Sequence, residues 1–158
     1  MATTITTLNQ VVQNLSAIAD VHQQLHGFKQ GSPWDFYTSG ICDAAEMWLN
    51  VGEAVVGRNT ITFKFTMWLL DGVRRGDINE LEVQSDMAQV AQDVIAQLRS
   101  PSYDWNFDLA AKTTLNIVQE KTPYRFAGVW FDFEIQLKYP SDTCRIPFST
   151  TPIIYPLQ

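Results

Sequence analysis

Several groupings of reactive side chains in this sequence have types and spacings that invite chemistry. His22 and His26 stand four residues apart, the spacing that puts two imidazoles on one helix face and can hold a divalent metal. The intervening Gln23-Gln24-Leu25 lacks the glutamate base of the zinc-protease motif, so both histidines are expected to be surface or interface residues. Asp104-Trp105-Asn106-Phe107-Asp108 opens like a calcium loop, with oxygen ligands at alternate positions. Leu109 stands where that loop needs glycine for its sharp turn, and Leu115 where it needs a bidentate glutamate. A loop pinned by aromatic packing is the expectation there. Asp132 and Glu134 would share one face of a strand about 7 Å apart. A carboxylate pair is what a glycosidase uses, so a hydrolase built on these two is a distant alternative to solvation or a contact between subunits.

Cys42 and Cys144 lie far apart and match no metal or redox spacing, so free thiols in a reducing compartment are expected. The chain contains no phosphate-binding Gly-x-x-x-x-Gly-Lys, no Gly-x-Gly-x-x-Gly and no nucleophile elbow. Sequence chemistry therefore assigns no catalytic residue, no cofactor site and no metal site, and the chain is not expected to be an enzyme.

The elements that carry these residues follow from hydrophobic period. Leu8, Val11, Val12, Leu15, Ile18, Ala19 and Leu25 form one apolar stripe at helical spacing. Thr7 and Gln10 have capping-box spacing, and Gly27 is placed to end this helix. The opposite face, with Asn9, Gln13, Asn14, Ser16 and Gln24, is polar but barely charged, which suits a partner contact. After the Gly31-Ser32-Pro33 turn, Trp34 to Thr38 reads as a short strand. Ala45 to Val51 alternates loosely, and Gly52 and Gly57 bracket a loop or hairpin tip. From Thr60 to Leu70, Ile61, Phe63, Phe65, Met67 and Leu69 face one way while Thr62, Lys64 and Thr66 face the other, a half-buried strand.

A second helical period runs from about Asn79 to Arg99 through Leu81, Val83, Met87, Val90, Ala91, Val94, Ile95 and Leu98. Asp77 and Glu80 have capping-box spacing at its start, and Ser100-Pro101 stops it. Two strands follow. One spans Thr113 to Glu120. In the other, Ala127, Val129, Phe131, Phe133, Ile135 and Leu137 point inward, with Trp130, Asp132, Glu134, Gln136 and Lys138 outward. The order α-β-β-β-α-β-β implies an α+β fold: an antiparallel or mixed sheet of about five strands with two helices packed on one face.

At 158 residues, 46% hydrophobic and 12% aromatic, the chain is a folded domain with a substantial core. No stretch approaches the roughly 20 apolar residues of a membrane span. Met1-Ala2-Thr3-Thr4-Ile5 does not begin a secretory signal, so synthesis in a cytoplasm is expected. A formal charge of −6, with Arg74-Arg75 the one basic pair, argues against a dedicated nucleic-acid binder yet suits DNA passing without sticking.

Trp34, Trp68 and Trp130 are candidate contacts. Trp68 and Trp130 fall on the outward registers of their strands, where they either form a contact surface or are covered by the first helix. Beyond a single domain at 1–143, residues 144–158 read as an extended arm. Pro147, Pro152 and Pro156 exclude a helix or central strand, which leaves Phe148, Ile153, Ile154, Tyr155 and Leu157 to find another surface. That surface is a neighbouring subunit or the arm's own sheet.

Several stretches carry a resemblance to a known family. These are His22-Gln23-Gln24-Leu25-His26-Gly27-Phe28 ahead of Pro33-Trp34, Glu82-Val83-Gln84-Ser85-Asp86-Met87, Leu98-Arg99-Ser100-Pro101-Ser102-Tyr103-Asp104-Trp105, and Cys144-Arg145-Ile146-Pro147. Together with the element order, they resemble the tail-terminator and head–tail joining proteins that stack as rings at the neck of tailed bacteriophages. The local likeness is to uncharacterised proteins of Bacteroidetes-infecting, crAss-like phages. The resemblance implies a tail-terminator-like fold and a homo-oligomeric ring, of six or twelve copies in this class, around a DNA channel. It further implies location in the virion neck or tail after synthesis in the host bacterial cytoplasm. The partners implied are further copies of the chain, adjacent neck, portal or tail rings, and passing DNA bound without sequence specificity, with no membrane. A non-virion assembly-control or binding protein of a phage is the alternative. The arm is longer than a minimal terminator needs, so an adaptor ring is also consistent with it.

Overall fold

The computed structural model describes residues 7–31, 44–74, 78–103, 105–108, 114–120 and 126–139. Helix α1 (Leu8–Val21) opens with the capping box that the sequence announces: Gln10 N donates to Thr7 Oγ1 (3.3 Å) and Thr7 N donates to Gln10 Oε1 (2.8 Å). Val11, Val12, Leu15, Ile18 and Ala19 are buried. The helix stops at Val21, earlier than Gly27, because continuing the stripe would need apolar residues at positions 22 and 23, which are His and Gln. His22 is already extended, Leu25 enters the core from the turn, and Gly27 instead begins β1 (Gly27–Gln30).

Strand β1 pairs parallel with β2 (Glu46–Val56), which makes the sheet mixed. Strand β2 runs antiparallel to β3 (Thr60–Gly72), with a bulge between Val51 and Ala54. Gly52 therefore lies within the strand and does not open the tip, since the bulge absorbs Gly52 and Glu53 and pairing resumes. Gly57 N donates to Thr60 O (2.8 Å) to close the hairpin. The strand expected at Trp34 to Thr38 lies outside the described residues.

The spine of the sheet is the antiparallel pairing of β3 with the long strand β6 (Phe126–Lys138), unbroken from Thr60↔Lys138 to Gly72↔Phe126. The other edge of β6 is shared end to end by β5 (Asn116–Glu120) and β4 (Asn106–Asp108). The described sheet holds six strands and is five positions wide, in the order β1-β2-β3-β6 and then β4 and β5. The segment expected as a loop at 103–108 thus ends in a short edge strand.

Helix α2 (Glu80–Leu98) buries Val83, Met87, Val90, Ala91, Val94 and Leu98. Leu81 is excluded from this stripe, being 79% exposed, because it stands about 200° round the helix from Val83. Asn79 occupies the N-cap without a side-chain cap bond, its Oδ1 accepting instead from Arg74 N (2.8 Å). Asp77 lies outside the described residues. Glu80 and Glu82 sit in the first turn, where the helix dipole favours negative charge.

Both helices contribute to the core cluster formed with Met47, Leu49, Phe63, Phe65, Met67, Leu69, Val129, Phe131, Phe133, Ile135 and Leu137. The fold is α+β with the helices on one face, and α1 does not cover Trp68 or Trp130. Among the described residues no helix is long and apolar enough to cross a membrane.

At the end of β3, on the helix side, Asp71 is half-buried and accepts from Gly72 N (2.7 Å). Burial raises its pKa and Asp86 adds to this, against the opposing pull of the Gly72 hydrogen bond and His26. The folded state holds this proton more tightly than the unfolded chain, so stability falls as pH rises from the ordinary carboxylate value through the folded pKa, and is flat above it. Asp71→Asn is therefore expected to raise the melting temperature at pH 7, with the gain shrinking towards about pH 4. Circular-dichroism melts at the two pH values check this, and equal gains at both would exclude ionisation as the cause.

Candidate functional site

Alternation along β2, β3 and β6 sends one residue set into the helix-covered core and the other onto the helix-free face. One half of that face is aromatic. Register aligns Lys29, Trp48, Trp68, Trp130 and Asn116 in a single row across β1, β2, β3, β6 and β5. Lys29 Nζ lies 5.2 Å over the Trp48 ring and 3.3 Å from Glu46 Oε1, while Trp48 Nε1 donates to Glu46 Oε2 (3.1 Å). Trp68 and Trp130 are tilted by 32° with ring centroids 6.4 Å apart. Asn116 Nδ2 donates to Trp130 O (3.4 Å). Trp48, Leu70 and Phe126 are buried in a second apolar cluster, with Trp68 and Val118 partly buried against it.

The other half is polar. Asn50, Thr66 and Asp132 form one row, and Lys64 and Glu134 another. Thr66 Oγ1 donates to Asp132 Oδ1 (2.5 Å), and Lys64 Nζ bonds Glu53 Oε1 across the bulge (2.7 Å). That bond, reinforced by the opposite charge, lowers the Glu53 pKa and raises that of Lys64. The two groups are solvated, so salt screens the pair. A shallow cleft of about 730 Å³ is lined by Gly52, Glu53, Lys64, Phe65, Thr66, Asp132, Phe133 and Glu134. Asp132 and Glu134 project side by side from one strand, the first held by a hydroxyl and the second opposite an ammonium. The arrangement makes a hydrogen-bonding surface continuous with the tryptophan row.

The two histidines share no helix face, because α1 ends before them. His22 Nδ1 accepts from Gln24 N (3.2 Å) and its Nε2 lies 3.3 Å from Asp93 Oδ2 on α2, while His26 N donates to Ala45 O (2.8 Å). Among the described residues no group of three or more His, Cys, Asp or Glu is placed to hold a metal ion. The segment after α2 is pinned by aromatic packing as expected: Tyr103 and Trp105 stack at 4.2 Å, and Trp105 Nε1 donates to Leu98 O (3.2 Å).

Of the candidate contacts, Trp68, Trp130, Asp132 and Glu134 come together on the helix-free face. Trp34, Phe148, Ile153, Ile154, Tyr155 and Leu157 lie outside the described residues, as do Cys42, Cys144 and Arg75. Sequence reasoning missed Lys29, Glu46 and Trp48 as members of this face. Alternation against Met47 and Leu49 puts Trp48 outward, and that signal was legible. Comparison with protein-family models returned no match, and comparison with curated proteins returned none either.

Proposed function

We propose that this protein is a structural virion component that forms a homo-oligomeric ring at the head–tail junction of a tailed phage, as a neck ring or tail terminator around the DNA channel. The observation that carries the reading is the helix-free face, where half-buried Trp68 and Trp130 adjoin the carboxylates of Asp132 and Glu134. An aromatic centre with a polar border is the composition of a protein–protein contact. On this reading the face and the arm residues Phe148, Ile153, Ile154, Tyr155 and Leu157 bind neighbouring copies or adjacent portal, neck or tail rings.

Charge supports the DNA side of the reading. Helices α1 and α2 contain Asp20, Glu80, Glu82, Asp86 and Asp93, and no lysine or arginine. A channel wall of that character repels phosphate and lets DNA slide. Quantitative mass spectrometry of purified particles of the encoding phage tests the proposal: the chain is expected at the copy number of one ring per particle. Its absence would leave a phage assembly-control protein and remove the ring.

A further inference from the structure

We infer, resting on the ring reading above, that neighbouring copies join by backbone pairing between two sheet edges that have no partner among the described residues: the distal half of β2 on one copy and β4 on the next. Among the described residues the pairing of β1 with β2 ends at Gln30↔Leu49, where Gly31 N also reaches Leu49 O (3.0 Å). Beyond that point residues 50–56 pair with β3 on one side and, among the described residues, with nothing on the other. Residues 51–56 are exposed, Val55 by 50% and Val56 by 70%. They present about 20 Å of edge, rich in β-branched side chains. The segment has no lysine or proline, and beyond the bulge at Gly52 and Glu53 the stretch Ala54-Val55-Val56 carries no charge either.

Strand β4 lies level with this edge on the opposite side of the sheet, since Val55, Thr62, Gln136 and Asn106 form one row. Strands β2 and β6 run in the same direction, both antiparallel to β3, and β4 runs against β6. Copies set side by side in one orientation therefore bring β4 antiparallel to the neighbour's β2, the stronger pairing mode. Such a head-to-tail contact closes into a ring when its rotation closes.

The hairpin ladder supplies a selective variant. The Gly57–Thr60 pair is hydrogen-bonded, so alternation makes Val55–Thr62 the next bonded pair and turns the N–H groups of Ala54 and Val56 outward. Ala54→Pro removes an outward donor without touching the β2–β3 ladder. Val56→Lys blunts the same edge through its side chain, and Asp108→Lys reverses the charge on the other.

Sedimentation velocity on the full chain, with thermal melting as the folding control, is the test. Wild type is expected to sediment as a closed oligomer and all three variants as monomers, with Val56→Lys and Asp108→Lys melting as wild type does. If Ala54→Pro fails to fold, Val56→Lys carries the same test. An equimolar mixture of the β2-edge and β4-edge variants should give dimers, because one competent interface remains. A monomeric wild type, variants that assemble like wild type, or a mixture that stays monomeric would each overturn the edge pairing. The abundance of the chain in virions decides the ring reading separately.

Discussion

Gly128→Ala is expected to lower stability by about 3–5 kcal/mol, enough to unfold a marginal domain. Gly128 sits inside β6, paired with Leu70 on β3 and Val118 on β5, with φ at +158°. A Cβ added there would penetrate the Leu69 carbonyl oxygen and lie 2.9 Å from its carbonyl carbon and 3.0 Å from Leu70 Cα. All three are backbone atoms of a strand paired on both sides, so none can swing away as a side chain would. Relief requires parting β3 from β6, the longest pairing in the sheet. Gly52→Ala is the control: its Cβ would meet only Lys64 O, at an ordinary 3.5 Å. Urea unfolding should separate the two variants widely, and similar midpoints would show that the close approach at Gly128 carries no weight.

Phe133→Ala is expected to cost about 3–5 kcal/mol, while the adjacent Asp132→Ala should cost about 1 kcal/mol or less. Phe133 is buried, stacked on Phe65 at 5.2 Å and tilted against Phe131 at 5.7 Å. Truncating it removes its burial and leaves a cavity that two fixed rings and a rigid sheet cannot collapse to fill. Asp132, one residue away, is exposed and gives up only the hydrogen bond from Thr66. Melting temperatures check the contrast. Equal losses in the two variants would mean that β6 presents the opposite face to the helices.

Much of the fold was legible because side-chain period is a local property of the backbone. In β3 and β6 the inward set read from alternation is the set that the core contains, Ile61 being half-buried at its edge. The capping box at Thr7 and the stop at Ser100-Pro101 were legible for the same reason, since each involves groups within one helical turn. The candidate face was legible in part: outward register picked Trp68, Trp130, Asp132 and Glu134.

Period says which residues share a face and is silent on what that face meets. Element order implied both helices on one face, but only the tertiary structure decided against a first helix over Trp68 and Trp130, leaving the row from Lys29 to Trp130 uncovered by either helix. It alone paired β1 parallel to β2, laid β4 and β5 along one edge of β6, and left the distal half of β2 unpaired on its outer side among the described residues. Strand pairing joins residues distant in the chain, and its hydrogen bonds are made by a backbone that is the same at every position, so sequence constrains it weakly. Gly128 makes the point in one residue. Its alternation with Ala127 and Val129 is visible in the chain, but the carbonyl that forbids it a side chain belongs to Leu69 and arrives only when β3 and β6 pair.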